Sequence, residues 1–191
     1  DDKGRTGLRK SRSHDIVPVE SCAIAAPGVE EVGVEQRSWP GVSGVEVIAA
    51  TGSSDRAVVV TPLPKPHGRM PIVELDVPVS VLRGDGAGGA SRVHGRAQVR
   101  EVAAGRTWKG SGSGFWQVHP GAASTFLSRV VALLGAEPGD KVLDLYAGSG
   151  LFTMRLGGLV APDGFLLGVG GDPRAACNRL PHHHAPHTGQ G

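Results

Sequence analysis

The apolar positions fall into two regimes along the chain. Up to about residue 110 they come in short β-branched runs broken by glycine, proline and small polar residues, the pattern of strands and tight turns. "DIVPVESC" (15–22), "GVEVIAA" (44–50) and "AVVVTPL" (57–63) are three such runs, and "TGSSD" joins the last two as a hairpin-type loop. "ELDVPVSVL" (74–82) alternates in part and predicts a strand running into a mobile loop, "RGDGAGGAS". "RAQVREV" (96–102) and the residues around Thr107 and Trp108 flank "AAGR" as a second hairpin. The Pro-rich "TPLPKPHGRMP" (61–71) carries no strand or helix signal, and no internal repeat stands out.

The period changes near residue 111. Phe126, Leu127, Val130, Val131 and Leu134 have helical spacing, with Pro120 near the start and Gly135 just past the end. "EPGD" then turns the chain, "KVLDLY" reads as a buried strand, and "LFTMRLGG" restarts as a helix. "PDG" (162–164) turns again into "FLLGV" (165–169), a second buried strand. This is a strand–helix–strand unit of a parallel sheet. The predicted class is α/β, α+β overall: a β-rich domain over 1–110, the first part of an α/β domain over 111–180, and a disordered tail over 181–191.

At 191 residues the chain is long enough for one ordinary domain or two small ones. Thirty glycines and fourteen prolines agree with many turns. A net charge of +2 neither demands nor excludes nucleic acid, but the basic residues are uneven, with Arg5, Arg9, Lys10, Arg12 and His14 crowding the start. Arg5, Arg9, Lys10 and Arg12 alternate with small or apolar residues as on a strand face, either to meet backbone phosphates or as a solvated basic edge. No apolar run approaches the roughly 18–20 residues of a membrane helix, and the start lacks a signal-peptide core. Two distant cysteines, Cys22 and Cys177, make no disulfide framework. A cytoplasmic protein is expected, and Asp at position 1 leads us to expect an upstream piece.

The chemistry concentrates in "VLDLYAGSGLFT" (142–153). Ligands of a parallel sheet collect at the carboxyl ends of its strands, where Gly148 and Gly150 admit close backbone approach and Asp144 stands just before the turn. The dinucleotide fingerprint would need a third glycine where Thr153 stands, and a phosphate loop would need a lysine that is absent. An acidic residue, three residues and then G-x-G is the first motif of the class I, Rossmann-like S-adenosylmethionine-dependent methyltransferases. Two glycines can also make an ordinary tight turn, but the strand, the helix and the offset of Asp144 favour the ligand.

"LDLYAGSGLFT" resembles, more narrowly, the first motif of the RNA uracil-C5 methyltransferases, which make 5-methyluridine in tRNA and rRNA. "FWQVHPGAA" (115–123) is similar to the block preceding that family's methyltransferase domain, and "GLRKSRSHDIVPVESCAI" (7–24) to a segment supplying the last of four cysteines of a 4Fe-4S cluster. The resemblance runs from about residue 4 to about 176 and is weakest over 30–95. It implies that Gln117 touches S-adenosylmethionine with Tyr146 packing beside it. It also implies that Asp144, Gly148 and Gly150 form the cofactor turn and that Leu151 contributes backbone and apolar contact. Cys22 would be an iron–sulfur ligand whose partners lie upstream, and Arg5, Arg9, Lys10 and Arg12 would face RNA. The family's ribose-holding acid falls where this chain has Gly170, and Asp172 is out of register for the task.

The family adds a cysteine thiolate to uracil C6 and later removes the C5 proton with a carboxylate. Both groups come from a part of the domain this chain does not match. Cys177, in "RAACNRL", reads as a helical cysteine rather than the nucleophile. His182, His183, His184 and His187 lack the spacing of a metal site. A truncated or frame-shifted reading frame would account for both the missing groups and this tail. The expected function is therefore methyl transfer to C5 of uridine in tRNA or rRNA, by a chain inactive alone. A non-catalytic RNA-binding remnant and a class I methyltransferase with another substrate are the alternatives.

Overall fold

The computed structural model describes residues 1–64, 68, 70–112 and 114–170. The chain forms two compact units, Asp1–Ser124 and Thr125–Gly191, each considered by itself below.

The first unit is built on one strand. In β4 (Arg56–Pro62) the run Ala57–Val60 is buried residue after residue, as in a strand covered on both faces. It sits inside a four-stranded sheet, pairing antiparallel with β3 (Val42–Ala49) and parallel with β5 (Ser80–Gly84), which pairs antiparallel with β6 (Ala90–His94). Val58 and Val60 pack on Val32, Val34 and Trp39, which come from two single-turn 3₁₀ segments and the residues after them. Ala57 and Val59 pack on Ala50, Leu82 and Val99 on the other face. Val99 belongs to a separate antiparallel hairpin, β7 (Gln98–Ala103) and β8 (Arg106–Ser111). A small hairpin of β1 (Gly7–Arg9) and β2 (Ile16–Pro18) lies at the start of the chain.

Both expected hairpins form, "TGSSD" joining β3 to β4 and "AAGR" joining β7 to β8. Two expectations change. The run 74–82 pairs only from Ser80 onward. Val73, Leu75, Val77 and Val79 still alternate onto the Val58 and Val60 side of the core, so their period of two serves burial without a ladder. Pro71 and Pro78 have no N–H for a ladder, and Glu74 O and Asp76 N bond instead to Arg37 and to Val32. "RGDGAGGAS", expected as a mobile loop, is a closed turn between β5 and β6. The Asp85 carboxylate accepts from the N–H of Ala87 and of Gly89, each at 2.8 Å.

The four-stranded sheet and the β7–β8 hairpin of this unit are joined through Asp55. Its carboxylate accepts from Arg100 Nε and Nη2, both at 2.8 Å, from the Arg100 backbone N–H at 3.0 Å, and from Arg96 Nη1 at 3.2 Å. Ser53 Oγ donates to Arg100 O at 2.6 Å. The Asp55 side chain is only 11% exposed, and the bonds from Arg100 outweigh its burial to lower its pKa to about 2. Burial pushes the neighbouring Glu101 carboxyl up, opposed by the backbone amides of Thr51 and Gly52.

The second unit contains the expected strand–helix–strand. Helix α1 (Ala122–Leu134) leads in from the first unit; Leu127 is buried, whereas Phe126 and Leu134 stay exposed. Gly135 follows in the left-handed region, where the sequence places the end of the helix. β9 (Lys141–Leu145), α2 (Leu151–Val160) and β10 (Phe165–Val169) come next, the strands pairing parallel with Asp144 opposite Gly168.

Because the folded pKa of Asp55 lies below its value of about 3.9 in an unfolded chain, its ion pairs stabilise fully above pH ~4. That contribution is lost as pH falls through about 2. Asp55→Ala is expected to lower unfolding free energy by about 2 kcal/mol at pH 7. Urea midpoints at pH 7 and pH 3 check this, the difference between wild type and variant narrowing at the lower pH.

Candidate functional site

The turn between β9 and α2 is where the sequence and the structure converge. β9 ends at Leu145, and Tyr146 follows with φ of 60°. Ala147 N–H donates to Val169 O at 2.9 Å, tying the turn to the end of β10, and Gly150 N–H donates to Ala147 O at 2.8 Å. Gly148 and Gly150 have φ of 51° and 81°, which side chains rarely adopt. A Cβ at Gly148 would have Tyr146 O as its nearest neighbour, at 3.7 Å, and one at Gly150 would lie 4.0 Å from Met154 Cγ. The space beside both backbones is therefore open to a ligand, directly at the N-terminus of α2.

Tyr146 was legible as a site residue but not as a strained one. A bulky residue in the left-handed region costs energy of about 1–3 kcal/mol, and such residues cluster where a turn must hold a fixed shape. Its side chain is 94% exposed beside the turn. Nothing in the local sequence signals this conformation, because tyrosine does not favour it.

Asp144 is held from the helix side. Thr153 Oγ1 donates to Asp144 Oδ2 at 2.5 Å, joining the last turn of β9 to the first turn of α2. The same threonine explains Gly168 across the strand pair: a Cβ there would meet Thr153 Cγ2 and Oγ1 at 3.0 Å. In the sequence Thr153 stands where a dinucleotide fingerprint would need a third glycine and closes the motif "LDLYAGSGLFT", with no sign of its bond to Asp144. Its tie to Asp144 follows once strand end and first helical turn adjoin in this unit.

Asp144, Tyr146, Gly148, Gly150 and Leu151 thus gather at one strand end. The Leu151 side chain is buried in the protein, which leaves its backbone to face the turn. Gln117 is half-buried in the irregular segment between β8 and α1, in the first unit. In the same segment Trp116 packs on Trp108 with ring centroids 6.3 Å apart, and Arg106 stands over the Trp108 ring. Gly170, at the end of β10, lies against the turn: a Cβ on it would stand 3.5 Å from Gly148 N, an ordinary contact. Asp172, Cys177 and the histidines of the tail lie outside the described residues.

The basic residues near the start do not form one strand face. Arg9 is exposed in β1, and Arg12 is exposed in the turn to β2, with φ of 55°. Arg5 pairs with Asp1 at 2.7 Å and bridges to Ser38, while Lys10 lies 3.4 Å from Asp15. Cys22 is a half-buried free thiol whose backbone N–H donates to Glu30 Oε1 at 2.7 Å. Among the described residues no three His, Cys, Asp or Glu side chains group as a metal site, so these residues by themselves do not fit an iron–sulfur cluster. No helix among them is long and apolar enough to cross a membrane.

An uncharacterized RNA methyltransferase of Streptomyces coelicolor is 53% identical over 176 residues, covering 92% of this chain and 38% of that protein. The chain's relatives are RNA methyltransferases. Among them is the 23S rRNA (uracil(1939)-C(5))-methyltransferase of Pectobacterium carotovorum, 28% identical over 161 residues, or 78% of this chain and 35% of its own length. No protein-family model matches the chain. The solved Pyrococcus abyssi tRNA (uracil-54, C5)-methyltransferase, in complex with S-adenosyl-L-homocysteine, shares the fold. Its TM-score is 0.63 at 17% identity, over 88% of this chain and 46% of that one. The chain therefore spans about two fifths of the Streptomyces relative.

Thr153→Val removes the one hydrogen bond shown to Asp144 and is expected to lower stability by about 1–3 kcal/mol, whereas Thr153→Ser keeps it. Chemical denaturation of the two variants beside wild type checks this. A loss in Thr153→Ser with none in Thr153→Val would show that the methyl packing on Gly168, not the hydroxyl, matters.

Proposed function

We propose that this chain carries the cofactor turn and part of the RNA-facing surface of an S-adenosylmethionine-dependent RNA methyltransferase that acts at uracil C5. The observation that carries the reading is the β9–α2 turn. Its glycine backbone is open, the N-terminus of α2 stands beside it, and Asp144 is fixed by Thr153 at the strand end. The relatives' names and the shared fold support it.

In this reading Gly148 and Gly150 let the cofactor approach the backbone, with Asp144, Tyr146 and Gln117 completing its contacts and Leu151 offering its backbone. The bound cofactor supplies an electrophilic methyl group. What these residues do is bind and orient it; the cysteine nucleophile and the base fall to the part of the enzyme this chain does not span. Cys22 would be one ligand of a 4Fe-4S cluster in the complete protein. Exposed Arg9 and Arg12 are better placed to meet RNA phosphates than Arg5 and Lys10, which already have carboxylate partners.

Gly170 leaves the position of the family's ribose-holding acid without a carboxylate, so cofactor binding by this chain is expected to be weak. A carboxylate there could accept two hydrogen bonds from a ribose, and the space beside Gly148 accommodates a Cβ. Gly170→Glu is therefore expected to tighten S-adenosylhomocysteine binding by about tenfold or more. Gly150→Val, at φ of 81°, should abolish that binding. Titration calorimetry tests both, and tighter binding of a nicotinamide dinucleotide than of S-adenosylhomocysteine would overturn the cofactor assignment. In a complete enzyme, Arg9→Glu with Arg12→Glu should weaken RNA binding and lower its salt dependence by about one unit of slope per lost phosphate contact. Unchanged affinity with an unchanged slope would remove these residues from the RNA surface.

A further inference from the structure

Gln117 lies in a stretch that has neither ladder nor helix to hold it. Between β8 and α1 the chain is irregular, and among the described residues the backbone of 115–118 makes no hydrogen bond. Phe115 and Val118 are 78% and 93% exposed, whereas Trp116 and Gln117 are half-buried. A segment without backbone bonds has the conformation that its side-chain contacts impose.

The two ends of the stretch are fixed within the first unit. Gly112 presses on the core, where a Cβ would collide with Leu82, and Gly114 N–H donates to Ser111 O at 3.0 Å. Beyond Gln117, His119 closes its own turn, accepting from Gly121 N–H at Nδ1 and from Ala122 N–H at its carbonyl. Ala104 N–H, at the tip of the β7–β8 hairpin, then donates to Ser124 Oγ at 3.2 Å.

In the middle there is one contact, and it is aromatic. The Trp116 ring meets Trp108 with centroids 6.3 Å and planes 40° apart, within the range of an attractive pair. Trp108 is itself immobilised. It is 3% exposed, its Nε1–H donates to Ala103 O at 3.0 Å, and the Arg106 guanidinium stands 6.0 Å from its ring centre. Trp116 is thus seated on a rigid platform, and Gln117 is the next residue along the chain.

We propose that Trp116 is a positioning residue for Gln117: seated on Trp108, it holds the 115–118 backbone in the conformation that presents the Gln117 side chain to the cofactor. The inference rests on the cofactor contact read for Gln117 above. Trp116 acts through its neighbour. Without its ring the stretch samples several conformers, and apparent affinity falls by the fraction that stays competent.

The test uses the 191-residue chain, with variants at half-buried Trp116 rather than at the core residue Trp108. Titration calorimetry with S-adenosylhomocysteine reads affinity, and backbone amide relaxation reads the order of residues 116–118. Trp116→Ala should weaken binding by about tenfold and lower the order parameters from about 0.85 to below about 0.6. Trp116→Phe, which keeps an aromatic contact with Trp108, should restore most of both. In a Gln117→Ala background, Trp116→Ala should cost less than about twofold more, because its effect runs through Gln117. If Trp116→Ala does not fold, Trp116→Leu carries the same measurements. Losses that multiply in the double variant, or order parameters unchanged by Trp116→Ala, would overturn the positioning role. Gln117→Ala binding as well as wild type, or no binding by wild type, would remove the cofactor reading of Gln117 and the proposal with it. That failure is distinct, since the order parameters of Trp116→Ala would still fall.

Discussion

A strand that runs between two faces must satisfy both, and β4 does so with four consecutive apolar residues. Val58 and Val60 bind one half of the first unit's core to β4, and Ala57 and Val59 bind the other. Everything around it follows: β3 and β5 lie on either edge, the 3₁₀ turns close one face, and the β7–β8 hairpin closes the other through Val99. The hairpin is then held by polar contacts, since Asp55 and Ser53 leave the β3–β4 loop to grip Arg100. Such a core leaves the first unit self-sufficient in a way the second is not.

In the second unit the constraint is the reverse. A parallel strand pair brings two strand ends together, and the turn that follows the first strand can place backbone amides and a carboxylate beside open space. Thr153 is the residue that makes the arrangement definite. It bonds Asp144 and fills the room above Gly168, so strand β9, helix α2 and strand β10 meet at one side chain. Tyr146 absorbs the backbone strain of leaving the strand, and its ring is exposed beside the turn. The same parallel pairing that creates the turn also leaves Leu143, Leu145 and Leu167 exposed on its strands.

Much of this was legible in the sequence wherever a local pattern had a single physical outcome. The period-two runs with small polar linkers became the hairpins β3–β4 and β7–β8, and the helical spacing before Gly135 became α1. "KVLDLYAGSG" became a strand and a glycine turn, because valine and leucine favour a buried strand and paired glycines favour left-handed backbone. Where a pattern had two outcomes, local reading failed. Alternating residues 73–79 bury one side without pairing, because Pro71 and Pro78 lack the N–H of a ladder and Glu74 O and Asp76 N bond to Arg37 and Val32, and Asp85 closes a glycine-rich stretch that by composition alone read as mobile.

The sequence by itself determined the order of the elements, the position of the glycine turn and the residues gathered there, since each depends on neighbours a few positions away. The tertiary structure decided what distance along the chain conceals. It set Thr153 against Asp144, paired Arg5 and Lys10 with acids while leaving Arg9 and Arg12 exposed, turned the Leu151 side chain inward, and left Leu143, Leu145 and Leu167 bare. These outcomes depend on which surfaces pack and which find no partner, and burial is a property of the assembled fold rather than of any segment.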